Sequence, residues 1–262
     1  MVLAPHPDDD VIAAGGLIQR VLESGSEIAV VFVTDGENNP WPQRFLERRL
    51  FLSKSDRASW GAMRRREALC SLARLGVGEQ SAVFLAFPDQ GIASLARRGD
   101  VALRDKLRET FDDVQPTLIV SPSTFDEHSD HRAIAWYAHC AAPEANIATY
   151  VVHGNAPAER AVCTLELSGC EQKKKIDAIE SHQSQLSLSR DRFLSYGRRS
   201  ETFFRAEYDI VRVESALRER LINLRHAMRV CFGTYPPART SGVQPAADVQ
   251  DSAGDVPSLL GR

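Results

Sequence analysis

Two short segments bring together the side chains that could do chemistry. The first is Pro5-His6-Pro7-Asp8-Asp9-Asp10, and the second is Asp126-Glu127-His128-Ser129-Asp130-His131. Neutral imidazole and carboxylate are the donors that zinc takes where thiolate is absent, and a catalytic zinc keeps three protein ligands and one open position. His6 and Asp9, three residues apart on a turn entering a helix, can point to one side. A third ligand from the distant segment, His131 or His128, completes a face of two imidazoles and a carboxylate. Asp8 then stands beside the open position without being a ligand, which is where a general base belongs. Taken singly, each segment also reads as turn and helix-cap chemistry, with Asp8 to Asp10 meeting a helix dipole. Together, each placed after a buried strand, they read as one site.

The elements that must position these segments alternate between strand and helix. Val2-Leu3-Ala4 is a short apolar strand that opens the chain abruptly, either an edge piece or a strand lacking its leading residues. Asp10 to Glu23 has helical spacing, and Glu27 to Thr34 is the continuous β-branched run of a strand buried on both faces. Further strands fall at Ala82–Phe87, Thr117–Val120, Ile147–Val152, Thr164–Leu167 and Tyr208–Val213. Helices fall at Ala62–Leu75, Asp100–Val114, His131–Ala142, Glu171–Gln183 and Glu214–Val230. This rhythm predicts an α/β fold, a doubly wound, Rossmann-like, mostly parallel sheet with helices on both faces. Such sheets bind ligands at the carboxyl ends of their strands, where both segments lie, as do Asp35, Glu37 and Asp89. The expected organisation is one α/β domain over residues 1–231 and a disordered tail over 232–262, rich in Pro, Gly, Ala and Ser.

The stretch from Trp41 to Arg57 is too long for a simple connection. It carries Arg44, Arg48, Arg49, Lys54 and Arg57 against only Glu47 and Asp56, with Trp41, Phe45 and Phe51 spaced through it. It reads either as an amphipathic surface helix or as a lid whose rings stack on sugars and whose cations meet phosphate or carboxylate.

Composition excludes several classes. The 262 residues are 43% hydrophobic and 26% charged, with a net charge of −3, so the basic footprint of a nucleic-acid binder is missing. No apolar run reaches the roughly 20 residues of a membrane-spanning helix, and no leader pattern follows Met1. The five cysteines are scattered without a CxxC pair, which points to a reducing, cytoplasmic setting and to small buried hydrophobes. His153 and the arginine run 64–66 read as structural or solvated groups, and His182 as either a pocket residue or a helix-end hydrogen bonder. Gly15 and Gly16 read as close-packing positions, since no phosphate-binding glycine pattern is present.

Ala4-Pro5-His6-Pro7-Asp8-Asp9 with Gly15-Gly16 resembles the first motif of the PIG-L/LmbE-type de-N-acetylases, and His128-Ser129-Asp130-His131 resembles their HPDH motif. Thr34–Glu37, Arg64–Glu67, Phe87-Pro88-Asp89, Lys175 and Ser181–Gln185 fall in the same order as the family's smaller motifs. The resemblance implies zinc, with ferrous iron as the alternative, held by His6, Asp9 and His131. It implies Asp8 as general base and then acid, His128 as the group polarising the carbonyl, and Asp130 as a carboxylate behind a histidine. It also implies Asp89 and Arg64 as substrate contacts. Asp10 stands where the family has Glu, and Ser129 where it has Pro. The activity implied is removal of acetyl from an N-acetyl-hexosamine conjugate. The partners expected are a small-molecule or glycoconjugate substrate, with no nucleic acid and no integral membrane segment, and homo-oligomerisation is left open. The competing readings are a metal amidase acting on another small N-acyl substrate and a non-catalytic nucleotide-binding module. The missing glycine fingerprint speaks against the latter.

Overall fold

Strand β1, Val2–Ala4, runs between β2, Val30–Thr34, and β4, Ile119–Pro122, and is buried along its whole length. It is therefore an interior strand and not an edge piece. A computed structural model describes residues 1–206. The strand expected at Tyr208–Val213, the helix at Glu214–Val230 and the tail beyond lie outside the described residues, as does the far end of the expected domain.

The remaining strands are β3, Ala82–Phe87, β5, Ile147–Tyr150, β6, Ala161–Glu166, and β7, Ser200–Arg205. They form one seven-stranded sheet in the order β3-β2-β1-β4-β5-β7-β6. Neighbours from β3 to β5 pair in parallel, with Leu3 opposite Val31 and Val2 opposite Val120. β7 enters antiparallel to both β5 and β6. The alternation of side chains along each strand splits the core in two. Val2, Ala4, Val30 and Phe32 face one layer with Ile18, Leu72 and Ile179, while Leu3, Val31 and Val33 face the other with Leu103, Phe111 and Ile134. The first layer contains helices α1, Asp9–Glu23, and α3, Lys54–Leu75, with α2, Pro40–Glu47, ahead of α3 in sequence. The second layer contains α4, Ile92–Arg97, α5, Ala102–Val114, and α6, Ser129–Ala141. Helix α7, Gly169–Ile179, returns to the first layer and is followed by α8, Gln183–Leu186, and α9, Arg190–Leu194.

Several expectations change. The Trp41–Arg57 stretch is largely helical: Pro40 starts α2, and α3 begins at Lys54, eight residues before the expected Ala62. Ser53 is the reason. Its hydroxyl accepts from Asp56 N at 3.2 Å, while Asp56 Oδ2 accepts from Ser53 N at 2.8 Å, a reciprocal cap. The described cysteines are not buried: Cys70, Cys163 and Cys170 are exposed and Cys140 is half-buried. The arginine run is not a solvated face either. Arg64 is buried, and Arg65 pairs with Asp35 at 2.7 Å and lies over the ring of Phe84.

Helix α1 is kinked at Ala14, whose φ and ψ are −136° and 17°. A break there frees backbone N–H groups inside the helix, and buried donors need partners. Glu201 of β7 supplies them, its carboxylate accepting from Gly16 N at 2.7 Å and Leu17 N at 2.9 Å. Lys175 of α7 donates to the same carboxylate at 2.6 Å, and both side chains are only 1% exposed. Gly16 is required by close approach: a Cβ there would stand 2.2 Å from Leu167 Cδ2.

Candidate active site

The sheet reverses direction of growth between β1 and β4, and the loops after these two strands open a crevice at their carboxyl ends. The first loop carries His6, Asp8 and Asp9, with Asp9 opening α1; the second carries Asp126 and His128, with Asp130 and His131 on the first turn of α6. Pro5 O accepts from both Thr34 N and Thr34 Oγ1, which ties the first loop to the end of β2.

Three donor atoms converge. Asp9 Oδ2 is 3.1 Å from His6 Nδ1 and 3.3 Å from His131 Nε2, and those two nitrogens are 3.4 Å apart. Metal–ligand bonds of about 2.0–2.1 Å place neighbouring tetrahedral ligands about 3.3–3.4 Å apart, so this triangle has the size that one zinc ion requires. The far nitrogen of each imidazole meets a carboxylate: His6 Nε2 is 3.1 Å from Asp89 Oδ1, and His131 Nδ1 is 3.1 Å from Asp126 Oδ2. That arrangement fixes which nitrogen carries the proton and aims the other at the metal.

Charge points the same way. Burial opposes ionisation of Asp9, Asp89 and Asp126, but the adjacent histidines outweigh it and hold all three carboxyls below their ordinary range. Burial likewise opposes a charge on His131, yet Asp126 and Asp9 raise it to about 10; His6 is raised by Asp89 and Asp9. Two imidazolium charges thus offset two of the three buried anionic charges, the charge that one divalent cation would supply. The residues fit the metal.

Asp8 sits outside the triangle. Burial pushes its pKa up, Arg64 restrains the rise, and the result is about 7. Arg64 Nη2 is 3.0 Å from Asp8 Oδ2 and also donates to Pro7 O, while Nη1 donates to Gly36 O. Expected as a substrate contact, Arg64 is 2% exposed and anchors Asp8 from below. Asp89, also expected as a substrate contact, meets a histidine of the triangle. It is 5% exposed, backs His6, and accepts from Asn38 N at 2.9 Å. Asp130 Oδ1 accepts from Ala93 N at 3.1 Å, and its carboxylate lies within 4.8 Å of His6 and Asp89 donor atoms, whereas the carboxylate behind His131 is Asp126.

His128 caps α6, its Nδ1 accepting from Asp130 N at 3.3 Å. Burial, then repulsion from His6 and His131, lowers its pKa well below the usual value, so the ring is neutral and carries its proton on Nε2. His128 is thereby a fixed hydrogen-bond donor.

A family model described as PIG-L, GlcNAc-PI de-N-acetylase, matches residues 1–142. The chain belongs to the PIG-L family. No curated protein matches it. Among solved structures, this PIG-L chain is similar to the zinc-inhibited form of teicoplanin deacetylase Orf2, at 19% identity and a TM-score of 0.58, over 78% of this chain and 96% of that one. It is also similar to N,N'-diacetylchitobiose deacetylase from Pyrococcus horikoshii, at 24% identity and a TM-score of 0.55, over 77% and 81%. A third is GalB, the 4-carboxy-2-hydroxymuconate hydratase of Pseudomonas putida KT2440, at 22% and 0.59, over 75% and 81%. At these identities the likeness is one of fold, and the fold hosts more than one reaction.

Two residues of the PIG-L site were not expected from sequence. Asp126 was named within the second segment but given no role, yet it backs His131 and also accepts from His128 N, Val152 N and His153 N, joining the loops after β4 and β5. His153, read as structural or surface, has its ring centroid 5.3 Å from that of His131 and a donor atom within 4.8 Å of Asp9 and His131. Its position just past the end of β5 was the available signal. His182 is fully buried with no hydrogen-bond partner on either ring nitrogen, so it is not the helix-end hydrogen bonder of one expectation. Among the described residues no helix is long and apolar enough to cross a membrane.

Proposed function

We propose that the protein is a metal-dependent N-deacetylase that hydrolyses the acetamide of an N-acetyl-hexosamine conjugate, giving acetate and a free amino sugar. The observation that carries the reading is the triangle of His6, Asp9 and His131 donor atoms with Asp8, titrating near 7, standing beside it. A zinc ion held by His6, Asp9 and His131 supplies Lewis acidity to the attacking water and to the amide carbonyl.

The chain's own residues do the rest. Ionised Asp8 accepts a proton from the water as its oxygen bonds to the acetyl carbon. His128 Nε2–H donates to the carbonyl oxygen as negative charge develops there, a contribution of about 3 kcal/mol for one well-placed donor. Protonated Asp8 then gives its proton to the nitrogen as the C–N bond breaks, so the amine leaves neutral. Arg64 is a positioning residue that holds Asp8 at its carboxylate. Asp89 orients His6 and offers its remaining lone pairs to a sugar hydroxyl.

The test is acetate release by the purified, zinc-loaded chain across N-acetylglucosamine conjugates and non-sugar N-acetyl amines, with metal content measured for wild type and His131→Ala. Release from the sugar conjugates, and bound metal well below one per chain in the variant, are expected. Release from non-sugar amides alone would replace the substrate class, and full zinc in His131→Ala would remove the ligand set.

A further inference from the structure

The end of α2 and the turn into α3 leave a run of large apolar side chains exposed. Phe45 is 62% exposed, Leu46 48%, Leu50 79% and Phe51 89%. These are four of the eight large hydrophobics exposed among the described residues, and they fall within seven consecutive positions. Rings stacked on a sugar inside the crevice would not lie so open to water. A contiguous exposed apolar cluster marks a surface that something covers.

Charge says what covers it. Residues 44–57 hold five cations against two carboxylates in a chain whose net charge is −3. Arg49 is tied to Asp56 at 2.7 Å and Arg57 donates to Asn38 Oδ1, but Arg48 and Lys54 are exposed beside the tip and form no ion pair among the described residues. An apolar tip with a basic rim matches a bilayer surface bearing anionic headgroups, where aromatic and aliphatic side chains enter the acyl boundary and cations stay at the headgroups. A second copy of the chain fits worse, because a two-fold contact through this patch sets the same cations against one another.

We propose that the tip over residues 45–54 is an interfacial anchor that seats the protein on an anionic lipid surface. The segment's root is at the crevice: Asn38, which Arg57 holds, donates from its backbone N to Asp89 Oδ2 at 2.9 Å, and Asp89 backs His6. Seating the tip therefore fixes how the crevice faces the membrane. The anchor is independent of the reaction the site performs, and its test reads no catalysis.

The full chain is sedimented with phosphatidylcholine vesicles with and without phosphatidylglycerol. Binding to the anionic vesicles alone is expected, with release as ionic strength rises from about 0.1 M to about 1 M and the Debye length falls from about 10 Å to about 3 Å. Leu50→Ser with Phe51→Ser should weaken binding at least about tenfold, and Arg48→Gln and Lys54→Gln by about fivefold each. Thermal melting checks that the variants fold. Should one not fold, quenching of wild-type tryptophan fluorescence by lipids brominated on the acyl chain carries the test, since Trp41 lies on α2. No wild-type binding to anionic vesicles, or binding that ignores both headgroup charge and salt, would overturn the proposal. So would light scattering in which Leu50→Ser with Phe51→Ser turns a dimer into a monomer, because the occupant is then a second copy.

Discussion

Asp8 and Asp10 lie in one turn of chain, both buried, and differ in what faces them. Asp8 meets Arg64 at 3.0 Å and settles near 7, whereas Asp10 has no ion pair among the described residues, and burial drives it up to about 8 against hydrogen bonds from nearby backbone. Asp8 can thus accept and return a proton near neutrality, whereas Asp10, raised by burial, has no cation beside it to favour its charged form. Asp8→Asn keeps the size of the group and its contact with Arg64 but cannot accept a proton at neutral pH. It should leave metal content unchanged, lower the melting temperature because Arg64 loses its buried counter-charge, and lower turnover by about 10²–10⁴-fold, the usual worth of a placed acid–base group. The pH profile follows from the same residue with a definite sign. Asp8 must be ionised to begin, and a bound cation can only lower its pKa, so kcat/KM should rise with pH to a plateau whose midpoint lies at or below about 7. A profile flat through that range, or wild-type turnover in Asp8→Asn, would move the base elsewhere.

At the scale of elements, the kink of α1 is the device that the rest of the first loop depends on. Glu201 satisfies the freed N–H groups of Gly16 and Leu17 while Lys175 neutralises it. Gly16→Ala drives a methyl group into Leu167 and should cost about 1–3 kcal/mol. Glu201→Gln leaves Lys175 buried without its counter-charge and should cost more, about 3–5 kcal/mol; denaturant unfolding of both variants checks the order. The sequence showed the parallel half of the sheet because its strands are buried on both faces and read as unbroken apolar runs. It hid β7, whose Ser-Glu-Thr-Phe-Phe-Arg mixes a buried acid with exposed polar groups and drew no strand expectation. A helix in the basic stretch was one of its two readings, but the bounds of the proline-started α2 and the early start of α3 were concealed by basic residues, although Ser53 and Asp56 were a readable cap. The convergence of His6, Asp9 and His131 was legible because these residues cluster in two motifs. Asp126 and His153 were harder to read, since their roles come from two loops meeting in space and not from spacing along the chain.

At the scale of the whole molecule, the site sets three low-pKa carboxylates against two imidazolium charges on His6 and His131, the proposed ligands. Ligands bind metal only after losing their protons. One zinc ion entering at pH 7 should therefore expel about two protons, and its apparent affinity should climb as pH rises, since His131 holds its proton up to about 10. Calorimetry in buffers of different ionisation enthalpy reads the number directly, and a value of zero would mean that the imidazoles were neutral beforehand. The clamp on α1 has a consequence for how the molecule is made. Glu201 lies 185 positions after Gly16 along the chain. At about 5–20 residues per second, synthesis delivers that carboxylate roughly 10–40 s after the motif it secures. Throughout that interval the nascent chain carries His6 and Asp9 on an unclamped helix start, with His131 arriving late as well. The clamp on α1 thus closes late in the protein's biogenesis, with the emergence of a strand that contributes none of the triangle's donors.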